Sequence, residues 1–260
     1  HFVFTFTLNL KMAYDEEPVM AMPIKTSTEA GYGATVKTDG YVSASMEAVR
    51  LGFIRKVYSV LIVQLALTTF VSAVCCLHTP TRHFVLTNPH LLTLGLVLSL
   101  VLLVALLCFK DRYPTNIVLL SAWTFVEAYT IGVVTASYAD RGQGLMVVQA
   151  GGLTLFIFSV LTVYTWTSKT DFSFMGPMLF SCLMGMILYS LVAWLFHLPT
   201  TGLIYSCFGA LVFSGYIVYD TYLILQRLGP DDWILGAISL YLDIINLFLY
   251  ILQILGSSRD

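Results

Sequence analysis

Three carboxylates fall inside apolar stretches of the sequence: Glu127, Asp220 and Asp243. An Asp at the centre of a membrane-crossing helix costs about 2.5–3.5 kcal/mol on translocon-insertion scales, so acids retained there face a bundle interior and mark ion or proton paths. A purely structural use also exists, in which each is protonated and hydrogen-bonded to hold helices together. Three such acids in one chain favour the ion or proton reading. Asp243 belongs to a stripe, because Ser239, Asp243, Asn246, Tyr250 and Gln253 recur at intervals of four, three, four and three, while Ile244, Ile245, Leu247 and Phe248 cover the rest of the helix. A polar stripe of this length belongs inward. Ser239 and Asn246 are therefore expected to line the path that Asp243 serves, with Glu127 as a further lining candidate. Asp220 follows a ridge of Gly202, Ser206, Ala210 and Ser214, small residues at every fourth position that allow another backbone to approach. At ~1.5 Å per residue Asp220 lies about 9 Å inside residue 226, and Asp243 about 15 Å inside residue 233, a difference that helix tilt can close. Two carboxyls meeting in a low dielectric cannot both ionise cheaply, so they would share a proton and titrate as a unit. Such a pair is a pH-sensitive gate or a transient cation site, and its hard oxygens suit Ca²⁺ better than a transition metal.

The elements that must position these acids follow from composition. The chain is 58% hydrophobic and only 11% charged, with a mean hydropathy of +0.83, far from the roughly 45–50% apolar and about 25% charged of soluble domains. Seven windows are long enough to cross a ~30 Å hydrocarbon core as helices: 57 to 77, 91 to 109, 115 to 138, 144 to 166, 176 to 197, 202 to 226 and 233 to 255. Thr79-Pro80, Asn88-Pro89, Tyr113-Pro114, Arg141-Gly142, Pro199-Thr200 and Gly229-Pro230 punctuate the connections. Links this short make consecutive spans antiparallel. The expected fold is an all-α integral membrane bundle of seven helices, with the striped seventh helix central. Residues 1–50 are expected to be a disordered cytosolic tail, too poor in apolar residues to build a core, and residues 51–260 the seven-helix domain. Position 1 is not Met, whereas Met12 opens Met12-Ala13-Tyr14-Asp15-Glu16-Glu17-Pro18. The first eleven residues accordingly read as sequence upstream of a translation start, or a remnant, and carry no structural weight. The opening lacks a basic start and a cleavage site, so the first span is expected to serve as the targeting signal.

Basic residues set the orientation. Arg50, Arg55, Lys56, Lys110, Arg112, Lys169 and Arg227 fall on the N-terminal side of the alternating spans, against Arg82, Arg141 and Arg259 on the other, and the positive-inside rule puts the N-terminus in the cytosol. With a net charge of −2 and scattered cations, no basic face tracks a phosphate backbone, which excludes nucleic-acid binding. Cys75, Cys76, Cys108, Cys182 and Cys207 lie in or at the ends of apolar runs without CxxC spacing, as reduced core residues do. His78, His83 and His90 cluster in the first inter-span loop but lack ligand spacing. Asp231-Asp232 read as a cap on the seventh helix, followed by Trp233 at the interface.

Several segments carry a resemblance: Phe53-Ile54-Arg55-Lys56-Val57-Tyr58-Ser59, Tyr113-Pro114-Thr115-Asn116, Thr162-Val163-Tyr164-Thr165, Ser168-Lys169-Thr170-Asp171-Phe172-Ser173, Gly215-Tyr216-Ile217-Val218-Tyr219-Asp220-Thr221, and the run from Ile238 to Leu249 containing Asp243 and Asn246. Together they resemble the transmembrane Bax-inhibitor-motif (lifeguard) family, from about residue 48 to the end. The resemblance implies a seven-helix fold with the last helix central. It also implies a pH-sensitive calcium leak across Golgi or endoplasmic-reticulum membranes, with suppression of cell death by moderating stored calcium. By the same pattern Asp220 and Asp243 are the di-aspartyl sensor, Glu127 is an acid of the eukaryotic members, and Lys110 or Arg112 is the counter-ion candidate at the end of the second span. The implied partners are the bilayer, calcium and protons, with cell-death regulators or other calcium channels beside them. No cofactor is expected, Ca²⁺ being the permeant ion, and no enzymatic activity.

Three rival readings remain. Asp111-Arg112-Tyr113 spells a motif of rhodopsin-like receptors, but it follows the second span instead of the third, and a cytosolic N-terminus inverts that topology. An intramembrane aspartyl protease also places one Asp on each of two consecutive spans, with Tyr-Asp on the first, as Tyr219-Asp220 does. Its second site is Gly-x-Gly-Asp, where this chain has Tyr241-Leu242-Asp243. A non-conducting membrane protein that acts through partner contacts is the third class.

Overall fold

The structure, a computed structural model, describes residues 38–196 and 202–257. Among them the chain is all-α, with eight helices: α1 (Thr38–Leu77), α2 (Thr79–Thr87), α3 (Pro89–Cys108), α4 (Thr115–Asp140), α5 (Gly144–Thr167), α6 (Met175–Phe196), α7 (Leu203–Gln226) and α8 (Trp233–Ser257). Seven of them, all but the nine-residue α2, are apolar enough and long enough to span a bilayer. Residues 1–37, which hold most of the expected tail, and the Pro199-Thr200 turn lie outside the described residues.

The first helix begins well before the apolar window at 57, reaching back to Thr38. Arg50, Arg55 and Lys56 depress hydropathy there, yet Phe53, Ile54, Val57 and Leu61 are buried at helical spacing. A search for continuous apolar runs passes over this amphipathic stretch.

Burial ranks the spans. The most apolar window of α8 is 83% buried and those of α7 and α4 are 61% and 50%, against 22% for each of the other four. The acids thus ride on the three inner helices, whereas outer helices present Ile62, Val63, Phe70, Val101, Phe156 and Leu191 at the surface. An apolar surface this extensive belongs in lipid. Helix α8 packs against α1, α5 and α7.

Contacts fix the antiparallel register of α7 and α8. Ser206 bonds Gln253, a Cβ at Gly209 would meet the Tyr250 ring, and one at Gly236 would meet Ile224. At one end of the bundle, Arg50 donates from Nε to the Leu225 carbonyl (2.9 Å) and from Nη1 to that of Leu228 (2.6 Å). The last carbonyls of α7 receive no intrahelical donors and carry the negative end of the helix dipole, so this cation caps them. Lys56 lies 3.9 Å above the Trp233 ring and Lys110 pairs with Asp232, which gathers the basic residues at the same end. The other end holds the Arg82–Asp140 pair at 3.6 Å and the close approach of Gly256 to Tyr138. Helix α8 therefore runs from one end to the other as a single crossing.

Candidate functional site

Asp220 and Asp243 are 2% and 0% exposed, on the two most buried spans. The register pairs 206 with 253, 209 with 250 and 224 with 236, which sets Asp243 level with residues 216–217. Asp220 then stands three to four residues further along, about 5 Å at ~1.5 Å per residue, or one turn. This brings the two positions to neighbouring levels on adjoining helices.

The α8 stripe faces inward along most of its length. Asn246 is buried and donates Nδ2 to the Leu242 carbonyl of its own helix (2.8 Å), Gln253 Oε1 accepts from Ser206 Oγ (2.7 Å), Tyr250 is buried, and Ser239 is half-buried. The small-residue ridge of α7 is only partly the contact line. Gly202 is exposed with open space where a Cβ would stand, whereas a Cβ at Gly209 would be 2.6 Å from the Tyr250 ring. A strict every-fourth row drifts about 40° around a helix with each step, so Ser206 and Gly209, three apart, are the pair that admits α8.

Glu127 anchors a separate polar network. It accepts a short hydrogen bond from Ser99 Oγ of α3, and Trp123 Nε1 donates to the same Ser99 oxygen (3.2 Å). The Trp123 ring meets Tyr241 edge-on at 5.4 Å. The Tyr241 hydroxyl lies 2.8 Å from Thr68 Oγ1, Thr68 donates to the Gln64 carbonyl (2.9 Å), and Gln64 Nε2 donates to Thr124 Oγ1 (3.0 Å). This band ties α1, α3, α4 and α8 together two residues before Asp243. Gln64, Thr68, Ser99, Trp123 and Tyr241 were not singled out by sequence, although a lone Gln in an apolar span is a usable signal because its amide requires partners.

At the basic end, Lys110 Nζ donates to Asp232 Oδ1 (3.2 Å), and Arg112 lies 5.3 Å from the Phe109 ring. Both counter-ion candidates thus stand at the basic end of the bundle, Lys110 with Asp232 as its partner. Asp232, expected as a cap, directly precedes α8: its carbonyl accepts the Gly236 amide, and its carboxylate pairs with Lys110. The loop between α5 and α6 docks on the end of α7: Tyr222 donates to Asp171 Oδ1 (2.6 Å), the Ser173 amide donates to the same oxygen (2.9 Å), and Arg227 stands 4.0 Å away. These partners, the Tyr222 hydroxyl foremost, hold the Asp171 carboxyl down at about 2. Beside it is a cavity of about 230 Å³, lined mainly by polar residues including Thr165, Lys169, Asp171, Tyr222 and Gln226.

His78 Nδ1 bonds Thr81 at the start of α2 (2.8 Å). Among the described residues no three His, Cys, Asp or Glu side chains are placed to hold a metal ion.

The family model described as "Inhibitor of apoptosis-promoting Bax1" matches residues 50–260. The "BI1-like protein" of Arabidopsis thaliana is 41% identical over 231 residues, 87% of this chain and 88% of its own. The "Golgi anti-apoptotic protein" of vaccinia virus (strain Lister) is 39% identical over 245 residues, 92% of this chain and 99% of its own. "Protein lifeguard 4" of Mus musculus is 36% identical over 233 residues, 88% and 96% of the two chains. A match across all seven spans, with both Asp-bearing helices inside it, shows that the chain belongs to the Bax inhibitor/lifeguard family of anti-apoptotic multi-pass membrane proteins.

Proposed function

We propose that the protein is a pH-sensitive, calcium-permeable channel or leak of Golgi or endoplasmic-reticulum membranes. It moderates stored calcium and thereby suppresses cell death, with its N-terminus in the cytosol. The observation that carries this reading is the placement of two buried carboxyls, Asp220 and Asp243, one turn apart in register on the two most buried spans. In a low dielectric such a pair holds one proton readily and two charges poorly. The shared proton holds the pair at a single negative charge and keeps the helices together; its loss leaves two like charges that attract a divalent cation and favour separation of α7 from α8. Ca²⁺ is the permeant ion and binds in transit, drawing on carboxylate and neutral oxygens. In this reading α8 is the central axis of the bundle, which its 83% burial supports. Ser239, Asn246 and Glu127 supply further oxygens, and Lys110 and Arg112 set the potential at the mouth. The relatives' names support the anti-apoptotic role, and that of the viral relative supports a Golgi location. Cell-death regulators or other calcium channels are the protein partners that such a role implies.

The test is Ca²⁺ uptake by liposomes containing the purified chain, measured across pH. Flux whose pH dependence is altered in both Asp220→Asn and Asp243→Asn supports the gate, and unchanged flux in both variants sinks it. Protection of cells without any flux would point to the partner-binding class. Cleavage of a membrane-embedded reporter that either Asp→Ala change abolishes would point to the protease.

A further inference from the structure

Buried threonines in these helices commonly return their hydroxyl to their own backbone: Thr68, Thr124, Thr135, Thr154 and Thr165 each donate to a carbonyl three or four residues earlier. Thr162 on α5 and Thr221 on α7, 8% and 0% exposed, do not. Their hydroxyls turn toward that of Tyr58 on α1, and none of the three buried oxygens has a hydrogen bond of good geometry. Three helices thus converge on a cluster of hydroxyls with donor and acceptor capacity to spare, a costly arrangement for a dry core.

Its position gives the cluster a use. Thr221 directly follows Asp220 in α7. Thr162 lies three residues, about 4.5 Å of rise, before Thr165, which lines the ~230 Å³ cavity at the basic end. Tyr222, the neighbour of Thr221, lines that cavity too. Polar side chains therefore recur at successive levels from the basic end, where Lys169 and Asp171 balance in charge, through Thr165 to the hydroxyl cluster and the level of Asp220.

We infer that Tyr58, Thr162 and Thr221 line an aqueous vestibule that admits a hydrated small cation from the basic end of the bundle to Asp220. Neutral hydroxyl oxygens replace part of a hydration shell without holding the ion, as a conduction path requires. The inference rests on the channel reading proposed above, and its test separates the two.

The full-length chain in sealed liposomes, carrying Thr162→Cys, Thr221→Cys or the control Thr154→Cys, is exposed at the Lys169 face to 2-aminoethyl methanethiosulfonate. Modification is read peptide by peptide by mass spectrometry. Positions 162 and 221 should label at least tenfold faster than 154, whose hydroxyl is spent on the Ala150 carbonyl. The shape-preserving Thr162→Val and Thr221→Val variants should lower Ca²⁺ flux several-fold and leave its pH midpoint in place. Labelling at 162 and 221 no faster than at 154, or full flux in both Val variants, overturns the vestibule even where the parent conducts. Fast labelling in a parent without flux overturns the conduction reading and leaves an aqueous pocket.

Discussion

The Tyr241–Thr68 pair should show an asymmetry that its hydrogen bonds dictate. Thr68 has one hydroxyl proton and gives it to the Gln64 carbonyl (2.9 Å), so across the 2.8 Å contact with Tyr241 the tyrosine must be the donor. Tyr241→Phe removes that donor and leaves Thr68 with its backbone acceptor, a loss of about 0.5–1.5 kcal/mol. Thr68→Val instead strands the hydroxyl of a fully buried tyrosine, at a cost of about 1–3 kcal/mol. The double variant restores a matched apolar contact and should lose less than the two single changes added together. The coupling should be about 0.6 kcal/mol and no more than about 1.7, the range of interhelical hydrogen bonds measured inside membranes. Reversible unfolding in mixed micelles, followed by circular dichroism, gives all four corners of the cycle. Equal single losses with a strictly additive double would refute the donor assignment, and with it the claim that this band clamps α1 to α8 beside Asp243.

Further outcomes follow from the packing. Arg50→Gln should cost about 1.5–3 kcal/mol through loss of charge-assisted bonds to the Leu225 and Leu228 carbonyls, and Arg50→Lys should recover only part because an ammonium cannot fork; micellar unfolding checks both. Gly209→Ala forces the Tyr250 ring aside: about 1–3 kcal/mol of overpacking against about 1 kcal/mol of helix propensity leaves a net loss of up to about 2 kcal/mol. Gly185→Ala, with open space around it, should be neutral or stabilising by up to about 1 kcal/mol in the same assay. Asp171, depressed to about 2 chiefly by the Tyr222 hydroxyl, should keep its loop docked above the ordinary carboxylate range near 3.9 and release it as pH falls through about 2. Tyr222→Phe should move that release upward, read as hydrogen exchange at the Ser173 amide.

The seven spans were legible because each is a continuous apolar run of membrane-crossing length, and lipid leaves the backbone few alternatives to helix. The polar stripe around Asp243 was legible for the same reason, since helical periodicity stands out against Ile and Leu. The amphipathic start of α1 was not, because its cations mask a buried face of Phe53, Ile54 and Val57. Nor was the contact line of α7, where Gly209 is identified only by the Tyr250 ring facing it. The Glu127 network also escaped, because Ser99, Thr68 and Tyr241 acquire meaning only when three other helices bring them together. Pairing of Lys110 with Asp232 has the same origin: 122 positions separate them, and the crossing topology closes that distance.

The central claim is that Asp220 and Asp243 act as one titrating unit, and the most direct measurement is the pH dependence of Ca²⁺ flux in Asp220→Asn, Asp243→Asn and the double variant, side by side in liposomes. A shared proton predicts that either single change abolishes the pH response of the parent, and that the double variant behaves like the singles. A pH response retained in both singles, or two independent shifts that add in the double, would contradict it.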